Sequence, residues 1–241
     1  MATATTRSKS SRKPTARVAR FHAALIGGTT VFAQTGRTAP VAVHFRQSEL
    51  DGACGLCCVS MVLAVFGLVK ASALEAMARR RFGIAAQVWN ALKHTFFTGV
   101  HAPELCNAVR SIGLPLRLTM RHVEDSDDIV GHRAVANFAL ASLRRGALVI
   151  VAYQSLRDRT RHFVLAVGVG AAEYGRPAMG LDHDTIYVLD PSSDTVSLAV
   201  YNSVLTRVQR KGTAHPAWNM ECGAGYQVPV TLISAIRFDL A

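Results

Sequence analysis

From Cys54 to Phe66 nearly every position is apolar, with Ser60 the one clearly polar side chain. A surface helix would show a polar face, so this pattern predicts a helix buried on all sides. Asp51 and Gly52 break the chain before it, and Gly67 ends it. Shorter patterns surround it. Upstream, Thr29–Ala33 and Val41–Phe45 are brief β-like runs, the second leading straight to Gln47. Downstream, Ser72 is placed to cap a helix reaching Arg81, and Gln87–Phe96 reads as another. Ala102 and Pro103 open a helix with Leu105, Ala108, Val109 and Ile112 at helical spacing, stopped by Gly113. Leu114–Met120 follows as a strand. His122–Arg133, with Asp125, Asp127 and Asp128, reads as a polar loop before an amphipathic helix over Ala134–Arg145 that Gly146 ends.

From Ala147 the period changes. Ala147–Tyr153, His162–Gly170, Thr185–Asp190, Thr195–Tyr201 and Val230–Phe238 are β-type runs separated by turn and loop residues. A helical first half followed by an antiparallel sheet half predicts an α+β fold. No internal repeat is visible, and no linker divides the body.

The chain has 241 residues, half of them hydrophobic, with a mean hydropathy of +0.21, which is ample for one large core. Its formal charge of +11 is unevenly spread. Arg7, Lys9, Arg12, Lys13, Arg17 and Arg20 stand in a Ser/Thr/Ala-rich segment without an acid, so residues 1–21 are expected to be a disordered basic tail and residues 22–241 the folded body. The tail is either an arm for polyanions such as nucleic acid or anionic lipid, or a solubilising extension. The uncharged stretch Gly52–Val69 reaches the lower edge of a membrane-spanning length, but three glycines, three cysteines and a serine interrupt it, so no integral membrane segment is expected. Phe21–Gln34 is a poor apolar core for a signal peptide. Five cysteines, three of them in the run Cys54-Gly55-Leu56-Cys57-Cys58, do not form a disulfide framework and fit a reducing, cytoplasmic compartment.

The chemistry gathers on the buried helix. Cys54 falls at its start, where unpaired backbone N–H groups and the positive end of the dipole favour a thiolate. Gln47, a short loop upstream, carries an amide donor suited to an oxyanion. A thiolate nucleophile needs a base, and the base an orienter. His162 opens one strand and Asp190 closes the next, so an antiparallel hairpin would bring them face to face. Cys57 and Cys58 lie one turn along and read as core. His183 and His215 read as loop residues. The Cys54-x-x-Cys57 spacing also fits thiol–disulfide exchange, though no strand and proline partner segment of that fold is visible. A cysteine metal site lacks a second ligand pair at suitable spacing, and no cofactor is called for.

The run from Gln47 through Cys54, Gly55, Met61 and Gly67 resembles the nucleophile segment of the bacteriocin-processing (double-glycine leader) peptidases, which are papain-like. His162 in His-Phe-Val and Asp190 in Asp-Pro follow in the same order. The Gln47–Cys54 loop and the connection Ala171–Asp184 are both longer than that family's. The resemblance implies a papain-like cysteine peptidase. Cys54 would be its nucleophile, His162 its proton relay and Asp190 the orienter of the imidazole. Gln47 with the Cys54 N–H would hold the oxyanion, and the substrate would be a peptide or leader cut after small residues. Phytochelatin synthases share a Gln, a Cys-Gly-Leu and a later His and Asp, so acyl transfer on the same fold is an alternative. A papain-like module that binds a peptide without cleaving it is another.

Overall fold

The computed structural model of the chain describes residues 18–36, 39–48, 51–125, 127–171, 185–208, 217–222 and 226–241. Among these residues, five α-helices and eleven strands make a mixed α+β fold. The strands are β1 (Val18–Phe21), β2 (Leu25–Gly27), β3 (Val31–Ala33), β4 (Val41–Ala42), β5 (Leu116–His122), β6 (Leu148–Ser155), β7 (Arg161–Ala171), β8 (Thr185–Leu189), β9 (Ser203–Val208), β10 (Ala217–Cys222) and β11 (Tyr226–Leu240). The helices are α1 (Cys54–Val65), α2 (Ala71–Glu75), α3 (Ile84–Leu92), α4 (Ala102–Ser111) and α5 (Ile129–Arg144), with single 3-10 turns after α2 and α3.

Helix α1 is the core of the first half: each of its residues is buried. Its one hydroxyl, Ser60, donates back to the Leu56 carbonyl at 2.9 Å, so burial leaves it satisfied. The C-terminus closes in a Schellman arrangement, with Leu68 N–H on Leu63 C=O, Gly67 N–H on Ala64 C=O and Gly67 at φ +68°. That left-handed residue is why the apolar run stops being helical at Val65 while Leu68 and Val69 still pack on the core.

The large sheet is antiparallel, in the order β1-β7-β6-β11-β10-β9-β8, with β5 added to β11. β8 also returns to pair with β7, which closes β6 to β11 into a six-membered ring of strands. Side chains alternate across it as a pleated strand requires. Leu148, Ile150 and Ala152 of β6 join the cluster around α1, whereas Val149 and Val151 join the one containing Val135, Ala139 and Leu140 of α5. The sheet is thus covered by α1 on one face and α5 on the other. Strands β2 to β4 form a separate small sheet.

Several boundaries differ from the sequence expectation. Val18–Phe21, assigned there to the tail, is a strand on β7, and the Phe21 ring stacks against Tyr201 and tilts against Tyr187. The tail before it lies outside the described residues, as do His183, His215 and the long connection after Ala171. The run Thr195–Tyr201 is not a strand: Leu198 sits at φ +65° and its N–H donates to Gly28 C=O, so this segment docks on the small sheet while pairing begins at Ser203. β10 was not anticipated. Helix α5 starts five residues before the expected position because Asp128 caps it, its carboxylate accepting Gly131 N–H at 2.8 Å. Ser72 lies inside α2 and caps nothing. No helix among the described residues is long and apolar enough to cross a membrane.

Candidate active site

Cys54 is the first residue of α1, following Ala53 at the N-cap. The loop before it is pinned by Asp51, whose carboxylate accepts Ser48 N–H at 2.8 Å and Ala53 N–H at 3.0 Å. Close approach of backbones makes this turn possible: a Cβ on Gly52 would lie 2.5 Å from Gly99 N, and Gly52 N–H donates to Phe96 C=O at 2.6 Å. Gly55 is likewise needed, since a Cβ there would lie 2.7 Å from the Val100 side chain.

β7 brings His162 to this thiol, and β8 delivers Asp190 immediately after its last residue. The hairpin register sets Leu165 opposite Leu189, and His162 Nε2 meets Asp190 Oδ1 at 2.7 Å. With Nε2 occupied, Nδ1 is the nitrogen left for the hydrogen bond between His162 and Cys54. Burial alone would depress the imidazole pKa. The bonds to Asp190 and Cys54 and their negative charges outweigh it and raise His162 to about 10. For Cys54, burial pushes the thiol up. The His162 bond and charge, with N–H donation from Phe163 and Gly55, bring it below the ordinary value. A thiolate–imidazolium pair is the favoured state of such a site.

The other cysteines are held as thiols. Cys57, buried and near the Asp51 and Cys54 charges, is pushed up to about 12, and Cys58, Cys106 and Cys222 are raised chiefly by burial. Asp190 is 1% exposed yet stays ionised: burial would raise its pKa, but His162 and Ser192 lower it overall. Ser192 donates twice to Oδ1, from its N–H at 2.8 Å and its hydroxyl at 2.7 Å, and Ser193 reaches Oδ2 at 3.4 Å.

Gln47 joins through its backbone, its N–H donating to Pro191 C=O at 3.0 Å beside Asp190. One end of its side-chain amide, the oxygen Oε1, is buried without a hydrogen-bond partner. Exchange of the two amide ends would put the Nε2 donor at that position instead.

Further contributors escaped sequence reasoning. Ser192 and Ser193 were legible in principle, because Asp-Pro-Ser-Ser is an Asx-turn signal. Tyr153, which packs edge to face on His162 with ring centroids 5.6 Å apart, and Asn202, which grips the Asp190 backbone, carry no local signal. Among the described residues no three His, Cys, Asp or Glu side chains cluster as metal ligands would. No protein-family model matches this sequence, and no curated protein matches it.

Proposed function

We propose that the chain is a papain-like cysteine peptidase acting on a peptide or leader-type substrate. The observation that carries this reading is the junction of three segments: a thiol of lowered pKa at a buried helix start, hydrogen-bonded to an imidazole whose other nitrogen is 2.7 Å from a buried carboxylate. That combination supplies a nucleophile, a base and an orienter at once.

In the proposed reaction His162 Nδ1 holds the proton of Cys54. The thiolate attacks the peptide carbonyl carbon, forming a C–S bond and moving the carbonyl electron pair onto oxygen. That oxyanion is met by the Cys54 backbone N–H, which as the first of the helix has no carbonyl behind it, and by the Gln47 amide. His162 then gives its proton to the departing amine as the C–N bond breaks. Water, deprotonated by the same imidazole, cleaves the thioester and restores the thiol. Asp190 keeps Nε2–H bonded throughout and stabilises the imidazolium. A preference for small residues before the cut is what the sequence resemblance implies.

Intact-mass analysis after incubation with a peptide vinyl sulfone tests the reading. One adduct per chain is expected, mapped to Cys54 and abolished by Cys54→Ala or His162→Ala. No adduct, or one that persists in Cys54→Ala, would overturn it.

A further inference from the structure

Asp190 belongs to no strand. It is the first residue after β8, at the head of the connection to β9, and a carboxylate there would swing freely unless something fixed its backbone. One side chain does so at both polar groups. Asp190 N–H donates to Asn202 Oδ1 at 2.7 Å, and Asn202 Nδ2 donates to Asp190 C=O at 2.8 Å. Nδ2 also reaches Ser193 C=O at 3.2 Å, tying in the segment that supplies the two serines on the carboxylate. Asn202 is itself fixed, 3% exposed with its own N–H on Val188 C=O at 3.1 Å.

Only a side-chain amide matches this task. It presents a donor and an acceptor in one plane, the complement of a backbone N–H and C=O, whereas a carboxylate lacks the donor and a hydroxyl lacks the reach. His44 closes the arrangement from the other side. Its Nε2 lies 3.0 Å from Asp190 C=O and 3.3 Å from Asn202 Nδ2; because a carbonyl only accepts, that nitrogen donates to Asp190, and the Asn202 amide gives its own hydrogens to the two carbonyls. His44 is three residues before Gln47, so the acid and the segment bearing the oxyanion amide are held by one carbonyl.

We propose that Asn202, backed by His44, is the positioning pair that aims Asp190 at His162. This rests on the triad reading above. Without the pair the carboxylate drifts from Nε2, the imidazolium loses its partner, and the thiolate loses the imidazolium. Misplacement of a reacting group by about 1 Å costs on the order of 100-fold in rate.

The test uses the full chain, with iodoacetamide as the probe of Cys54 and NMR titration of the His162 ring. In Asn202→Ser and Asn202→Leu, folding checked by thermal melting, alkylation of Cys54 at pH 6 is expected to slow about tenfold or more, the effect of raising the thiol pKa by about one unit. The His162 titration, near 10 in the parent, is expected to move down. His44→Gln, which keeps an N–H donor, is expected to behave as the parent, and His44→Phe to slow labelling. Asp194→Ala, in the same connection but 82% exposed and ion-paired with Arg46, removes only a solvent-screened charge and is expected to change labelling far less than Asn202→Ser. A purely structural role would lower the melting temperature and leave the Cys54 labelling rate and the His162 titration in place; that result in a folded Asn202 variant overturns the proposal. Should the Asn202 variants not fold, equal behaviour of His44→Gln and His44→Phe overturns it. If Cys54 in the parent is no more reactive than the other thiols, the triad reading itself fails, and the proposal with it.

Discussion

Tyr153 and His162 stand opposite one another on the antiparallel ladder of β6 and β7, their rings meeting edge to face with centroids 5.6 Å apart. Asp190 and Cys54 fix the two nitrogens of the imidazole, and Tyr153 fixes its plane. Such aromatic contacts contribute roughly 0.5 to 1.5 kcal/mol beyond buried area. Tyr153→Leu is therefore expected to slow Cys54 labelling by vinyl sulfone about two- to tenfold with the fold intact, while Tyr153→Phe keeps the ring and the rate. Pseudo-first-order inactivation rates measure both.

Thiol chemistry should single out one cysteine of five. Cys54 is lowered and the other four are raised, Cys57 to about 12. At pH about 6 and limiting iodoacetamide, peptide mapping is expected to find Cys54 modified first. His162→Ala should erase that preference, because it removes the imidazolium that offsets burial of the thiolate.

The pH dependence of stability follows from the His162–Asp190 pair. His162 is raised from 6.5 to about 10, so its contribution is complete below 6.5 and is lost as the pH rises through about 10. Asp190 is depressed below 3.8, so its contribution is present above 3.8 and is lost as the pH falls through the folded value. The difference in melting temperature between the parent and Asp190→Asn is expected to be greatest between pH 3.8 and 6.5. It should shrink as the pH approaches about 10, and a difference that grows there would contradict the assignment.

Asp190→Asn also tests catalysis. An amide in that position favours the wrong imidazole tautomer, and turnover of a cleaved peptide is expected to fall by about 10⁴ while the chain stays folded. Turnover within about tenfold of the parent would reduce Asp190 to a turn residue.

Gly52→Ala probes the turn that aims the thiol. The added methyl would meet Gly99 N at 2.5 Å and Gly99 Cα at 2.9 Å, backbone that cannot swing aside as a side chain can. Urea titration is expected to show a loss of about 1 to 3 kcal/mol, the usual cost of overpacking. Labelling at Cys54 should slow as well, since the first turn of α1 must shift.

The parts of the site legible in the sequence are those with a local cause. Cys54 at a helix start, Gly67 at its end and the β-type runs carrying His162 and Asp190 are each written in neighbouring residues, and one antiparallel hairpin brings the last two together. Asn202, His44 and Tyr153 act through register and through a loop that folds back, so nothing beside them in sequence marks them. Thr195–Tyr201 misled for the opposite reason. Its alternation is strand-like, but Leu198 in a left-handed conformation and its bond to Gly28 turn the run into a strap across the small sheet. At the start of the chain, the four residues of β1 carry an apolar signal too short to stand out among the basic ones.

The central place of β11 governs when the site can exist during synthesis. It pairs with β5, β6 and β10, yet among the described strands it is synthesised after all the others, about 170 residues after Cys54. At ordinary elongation speeds that interval lasts roughly 10 to 35 s. Over that time the sheet that carries His162 lacks the strand that joins β6 to β10, so the imidazole has no fixed place beside Cys54. The meeting of His162 with Cys54 is therefore tied to completion of the sheet rather than to the synthesis of either residue.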